Sequence, residues 1–174
     1  MISMWASLTS GTFHFLQQLT KKHPKYEFYF MKNNRSTVVY YEHERKKGVF
    51  VSGKTCTILN SEGAIHHKGY VTMEHVPVTD DGVKLFEDRL DTLFPELTKR
   101  TGVIAMRILK EQKKHEYIII TQWKNNRYEE LWRESPFYNE QNVQQFARLS
   151  AYFAERPFTN SYYMIKEDEE IAEE

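Results

Sequence analysis

The sequence predicts an α+β fold made of two halves in one chain, and three observations carry that prediction. From Ile65 to Asn142, strand and helix patterns alternate with the periods of 2 and 3.6 residues that distinguish them. Residues 1–60 repeat a shorter version of the same order, a strand, a helix and a small antiparallel sheet. The length, 174 residues, lies at the upper end of one ordinary domain and suffices for one or two linked cores without disulfides or metals.

The first half opens with a strand-like run holding Met4 and Trp5 and ending near Leu8. Ser10-Gly11-Thr12 offers a turn, after which Phe13, Leu16, Leu19 and Thr20 recur at helical spacing until His23-Pro24 stops the helix. Tyr26 to Met31 and Ser36 to Tyr41 are rich in aromatic and β-branched residues. With Lys32-Asn33-Asn34-Arg35 between them they read as a hairpin. A basic turn, Arg45-Lys46-Lys47-Gly48, then leads to a further strand at Val49-Phe50-Val51. Ser61 to His67, with Gly63 in a turn, is the junction, so that the expected units are 1–62 and 63–166, followed by a frayed acidic tail at 167–174.

In the second half, Tyr70–Pro77 is a strand. Thr79 to Phe94 is a helix whose core stripe is Val83, Phe86, Leu90, Leu93 and Leu97. Thr79 is the expected N-cap, Asp80 and Asp81 favour the positive helix end, and Pro95 marks where regularity should fail. Val103–Leu109 alternates as a strand, Glu111 to His115 is a hairpin tip, and Tyr117–Trp123 is apolar on both faces as a central strand would be. A short helix with Tyr128, Leu131 and Trp132 follows. A second helical piece begins at Ser135-Pro136 and runs through Val143, Phe146 and Phe153, and Asn160–Ile165 closes the chain as a strand. Strand, helix, hairpin, helix, strand is the ferredoxin-like order, complete in this half and reduced in the first.

Composition narrows the function classes. Lys plus Arg equals Asp plus Glu at 24 each, which removes the general electrostatic argument for nucleic acid or an anionic membrane surface. MISMWASLTS lacks the charged start and apolar run of a signal peptide, and no run reaches the roughly 18 apolar residues of a membrane span, so a cytoplasmic protein is expected. The single cysteine, Cys56, permits no internal disulfide and reads as a buried thiol. Aromatics make up 14% of the chain, enough to line an apolar pocket, although strands are rich in them anyway.

No Gly-rich phosphate loop, Ser-centred elbow or Cys-His motif is present, so nucleophilic catalysis finds no support. The seven histidines form no zinc spacing, and no metal site is expected. His66 and His67 are adjacent and at the start of a strand would point to opposite faces. His75 sits near the end of the same strand, on a path toward any cavity between sheet and helices. Trp123 and Trp132 are read first as core packing.

VPVTDDGVKLFEDRL at Val76 to Leu90, ITQW at Ile120 to Trp123 and LWRESPFY at Leu131 to Tyr138 resemble the antibiotic-biosynthesis-monooxygenase (ABM) domain, and within it the heme-degrading monooxygenases of staphylococci and bacilli. Gly11-Thr12 with Phe15-Leu16, Val49-Phe50, the Gly63, Ile65, His67 and Gly69 series, and Arg156-Pro157 extend the likeness to the long two-half members, of the HmoB heme monooxygenase and TRAP signal-transduction types. The resemblance implies a site of three groups: an Asn at the end of a strand, a Trp on a helix and a His ligating iron about ten residues beyond it. Here Trp132 keeps the Trp position, Asn142 falls at the His position, and Glu74, or with a slip of one residue His75, falls at the Asn position.

Two readings follow from that resemblance. One is heme binding or oxidative heme degradation with an altered site, in which His75 or Tyr138 supplies the iron bond and Trp132, Asn142 and Glu74 form the reactive pocket. The other is a TRAP-like, non-catalytic stress or signalling protein, for which His66 and His67 are candidates, including for phosphorylation. Single-half relatives pair to cover their open sheet edges. The resemblance therefore implies a dimeric α/β-barrel type of fold, reached here as a pseudodimer within one chain or in a homodimer.

Overall fold

The structure is a computed structural model, and it describes residues 4–111, 113–141 and 154–166. Eight strands run β1 Trp5–Gly11, β2 Tyr29–Lys32, β3 Thr37–His43, β4 Lys54–Glu62, β5 Tyr70–Pro77, β6 Val103–Glu111, β7 Glu116–Trp123 and β8 Phe158–Ile165. The helices are α1 Phe13–Lys21, α2 Val83–Thr98, α3 Asn126–Arg133 and α4 Pro136–Gln141.

The strands close into one barrel in the order β1-β3-β2-β8-β5-β7-β6-β4, with every neighbouring pair antiparallel. Split at β2·β8 and at β4·β6, this ring falls into two sheets, β4-β1-β3-β2 and β8-β5-β7-β6. Each has its strands in the spatial order fourth, first, third, second of its own set, the arrangement of a split β-α-β unit. The two sheets meet edge to edge, Phe30 opposite Ile165 on one seam and Cys56 opposite Glu111 on the other, so each strand has two partners and no edge is left open.

Alternation along the strands sorts side chains between the barrel lumen and the helix-covered outside. Ala6, Met31, Tyr40, Val71, Met73, Ile118, Ile120 and Met164 fill the lumen. Val76, Met106, Ile108, Ile119 and Trp123 face outward under Phe86, Leu90, Leu93 and Leu97 of α2 and Trp132 of α3. On the other sheet, Phe13 and Leu16 of α1 cover Phe30 and Val39, and the Phe15 amide donates to Thr12 Oγ1 at the helix start. Arg107 is buried at the lumen with its guanidinium on Glu42 (Nε to Oε2 2.8 Å) and on the Glu62 carbonyl, and Glu42 also accepts from the Tyr40 hydroxyl.

The structure departs from the sequence expectations at four places. Val49-Phe50-Val51 is not a strand. Val51 is fully exposed, while Phe50 caps the aromatic cluster of Phe28 and Tyr41 in the loop that takes the place of a second helix in the first set. The fourth strand of that set is instead Lys54–Glu62, which occupies part of the expected junction. Thr79 precedes a 3-10 turn, Asp80–Gly82, rather than capping α2 directly, and its side chain makes no cap bond. Pro95 does not end α2, which continues to Thr98, because the Leu93 and Leu97 side chains on either side of it are anchored in the core. The helical piece expected beyond Gln141 through Phe153 lies outside the described residues.

Candidate functional site

Strand parity decides what β5 offers to the helices. Tyr70, Thr72, Glu74 and Val76 point outward, and Val71, Met73 and His75 point to the lumen. Over the outward face lies α3. Its Asn125 side chain accepts from the Arg127 amide at 3.0 Å, and its buried face presents Glu129 and Trp132, three residues apart. Gly102 seats this helix: at φ +91° it packs against the Tyr128 ring so closely that a Cβ would lie 2.2 Å from Cγ.

Between them is a cavity of about 260 Å3, lined by Glu74, Trp123, Glu129, Trp132, Arg133 and Tyr138 among others, slightly smaller than the usual small-molecule pocket. The Tyr138 ring stands edge-on to Trp132 with centroids 5.6 Å apart, and the Arg100 guanidinium sits 4.8 Å from the Trp132 ring centroid. Burial, and then the neighbouring charge of Glu129, push the Glu74 carboxyl up to about 7. Glu129 Oε1 accepts from Arg133 Nε at 2.6 Å, whereas its buried Oε2 has no hydrogen-bond partner among the described residues. The Tyr138 phenol is raised by burial and then by Glu74.

The sequence-derived candidates therefore divide. Glu74, Trp132 and Tyr138 converge on this cavity. His75 does not: it faces the other side of the sheet, stacked on Phe158 with centroids 4.6 Å apart and rings within 8° of parallel, its Nδ1 3.6 Å from Glu116 Oε1. It lines a separate hollow of about 460 Å3, shared with Leu8, Asn160 and Tyr162, at the barrel end where β1 and β5 finish and β8 begins. Asn142 lies outside the described residues. His66 and His67 precede β5 in a loop: the His66 backbone is clasped by the Gln122 amide, and His67 pairs with Glu27 and stacks on Tyr29. Glu129 was missed, although its place three residues before Trp132 on an amphipathic helix was the available signal.

No family model matches the chain. A protein of Listeria monocytogenes named heme-degrading monooxygenase is 23% identical over 133 residues, covering 76% of this chain and 79% of that one. Signal transduction protein TRAP of Staphylococcus epidermidis is 24% identical over 160 residues, 92% of this chain and 94% of that one. A crystal structure from L. monocytogenes 4b F2365, an uncharacterized ferredoxin fold protein related to antibiotic biosynthesis monooxygenases, superposes with a TM-score of 0.80 at 18% identity over 95% of this chain and 96% of that one. This chain has the ABM-like ferredoxin fold. The two sheets of that fold, joined in a single polypeptide, account for the closed barrel.

The ABM-like cavity can be tested against the heme that the resemblance implies. Heme iron is held in proteins by His, Cys, Met or Tyr. Among the described residues no His, Cys or Met lines the cavity, and its two phenols are Tyr70 and Tyr138. Tyr70 packs edge-on against Tyr163 at 5.1 Å, and burial with the Glu74 charge keeps the Tyr138 phenol protonated. Two carboxylates, with one guanidinium already engaged, would also oppose heme propionates. The described residues do not fit a heme gripped through its iron.

Proposed function

We propose that this chain is a ligand-binding protein of the ABM-like fold, whose Trp132 cavity receives a flat aromatic molecule without holding it through iron. The observation that carries the reading is the pairing of Trp132, which Tyr138 meets edge-on and whose ring centroid lies 4.8 Å from the Arg100 guanidinium, with a polar lining that includes the two carboxylates Glu74 and Glu129. Aromatic walls bury the body of such a ligand, and a few polar groups fix its orientation. The relative named signal transduction protein TRAP, aligned over 92% of this chain, is compatible with a binding role.

The relative named heme-degrading monooxygenase supplies the second reading, in which heme is the ligand and is oxidised in an altered pocket. Titration with hemin and with 1-methylnaphthalene, followed by tryptophan fluorescence and absorbance, separates the two. The proposal expects saturable quenching by 1-methylnaphthalene, lost in Trp132→Ala, and no sharp Soret band at one hemin per chain. A stoichiometric Soret band that disappears with ascorbate under oxygen would replace it with the enzyme reading.

A further inference from the structure

The two carboxylates of the cavity reach it from different elements, Glu74 from β5 and Glu129 from α3. Glu129 is only 7% exposed, and its Oε2 is left without a hydrogen bond. An unsatisfied buried carboxylate oxygen is costly, and a bound ligand is one way to supply its partner. Arg133 does not supply it: its guanidinium takes Oε1 and half of its side chain is in solvent.

The remaining charged or titratable groups facing Glu74 can be counted element by element. Among the described lining residues these are Tyr70 of β5, Glu129 and Arg133 of α3 and Tyr138 of α4; β7 and β8 add only the hydroxyls of Thr121, Thr159 and Ser161, α2 only the apolar Leu97, and Arg100, 4.8 Å from the Trp132 ring centroid, lines a neighbouring hollow instead. With both carboxyls ionised, the described lining residues carry two negative charges and one positive, so one further positive charge would balance them. The surrounding walls are indoles and phenols, whose faces attract cations. A bare divalent ion is a poor candidate, since no group of three metal-binding side chains exists among the described residues.

We infer that the cavity is built for an organic monocation with a flat aromatic body, its positive charge held between Glu74 and Glu129 and its body laid against Trp132. This rests on the reading of the cavity as an aromatic-ligand site and adds the charge of the ligand. In the unliganded protein a proton on Glu74 takes the place of that charge, consistent with its carboxyl titrating near pH 7. Binding of the cation favours the ionised carboxylate and releases the proton, so affinity rises with pH through that region.

The test uses the full chain and three bicyclic probes of similar size: 1-methylquinolinium, 1-methylnaphthalene and 1-naphthoate, each titrated by calorimetry at pH 6 and pH 8. At pH 8 the cation is expected to bind about tenfold or more tightly than its neutral counterpart, and the anion weakest of the three. Between pH 8 and pH 6 the affinity for the cation should fall about tenfold, following the ionised fraction of a group near pH 7, while that for 1-methylnaphthalene stays level. Glu74→Gln should remove both the preference and its pH dependence while retaining the neutral probe, a readout that a merely misfolded variant would not give. Equal binding of cation and neutral probe by the unaltered chain, or a preference for the anion, overturns the inference and leaves the aromatic-cavity reading intact. Binding of none of the three overturns both.

Discussion

Glu74 and His75 are consecutive on β5 and serve opposite sides of the sheet, the carboxyl turned to the Trp132 cavity and the imidazole to the hollow lined by Tyr162. A one-residue slip in assigning a site position on this strand therefore exchanges one compartment for another. Burial, and then the charge of Lys54, lower the His75 pKa, which favours a neutral ring stacked on Phe158.

Replacing His75 by Ala should accordingly leave binding of 1-methylnaphthalene in the Trp132 cavity within about twofold, since the two compartments share no partner. The same titration on the variant checks this. A tenfold loss would mean that the imidazole reaches the cavity after all.

Glu74 should make the protein less stable as pH rises. Its carboxyl titrates near 7 in the folded chain against about 4.3 in the unfolded one, so between those values the folded state binds more protons and stability falls with increasing pH. Glu74→Gln removes the cost of ionisation. It should raise unfolding stability at pH 8 by on the order of 3 kcal/mol and change it little at pH 4. Urea unfolding at both pH values gives the comparison, and an equal effect at both would exclude this titration as the cause.

Gly102 holds α3 in place through a contact that no side chain fits. Gly102→Ala puts a Cβ against the Tyr128 ring at a φ of +91°, and it should cost about 1–3 kcal/mol in backbone strain. The Tyr128 ring must also shift, carrying Trp132 with it, so loss of 1-methylnaphthalene binding should exceed that of a surface substitution of equal thermal effect. Melting temperature and titration on the same sample measure the two separately.

Arg107 is the cation that neutralises Glu42 at the lumen. Arg107→Ala removes the partner of that half-buried carboxylate and of two backbone carbonyls, and should cost about 1–3 kcal/mol. Adding Glu42→Gln to the variant should recover part of the loss, because the stranded charge is then gone. Chemical denaturation of the two single variants and the double variant tests both statements.

The second strand set was legible because its helix and first strand follow clear patterns: Phe86, Leu90, Leu93 and Leu97 mark one face of a helix, and Tyr70–Pro77 falls on the strand expected. β4 was not, since KTCTILNSE turns only Cys56 and Ile58 into the barrel and carries polar side chains along much of its length. Val49-Phe50-Val51 misled for the opposite reason, three apolar residues of which one is fully exposed. At the site, Trp132, Tyr138 and Glu74 could be named from sequence, whereas the compartment of His75 depended on which strand face meets the helices. The pairing of Glu74 with Glu129 depended on how α3 crosses β5, a long-range relation that no local period encodes.

Closing the barrel within one polypeptide has a consequence for how such a protein can change. In a ring assembled from two identical chains, every substitution is written twice and lands in both pockets. Here the β1–β4 sheet and the β5–β8 sheet are encoded separately. Phe28, Tyr41 and Phe50 can pack against one another on one outer face while Glu74, Glu129 and Trp132 line a cavity on the other. Covalent joining lets a substitution alter one face and leave its counterpart untouched.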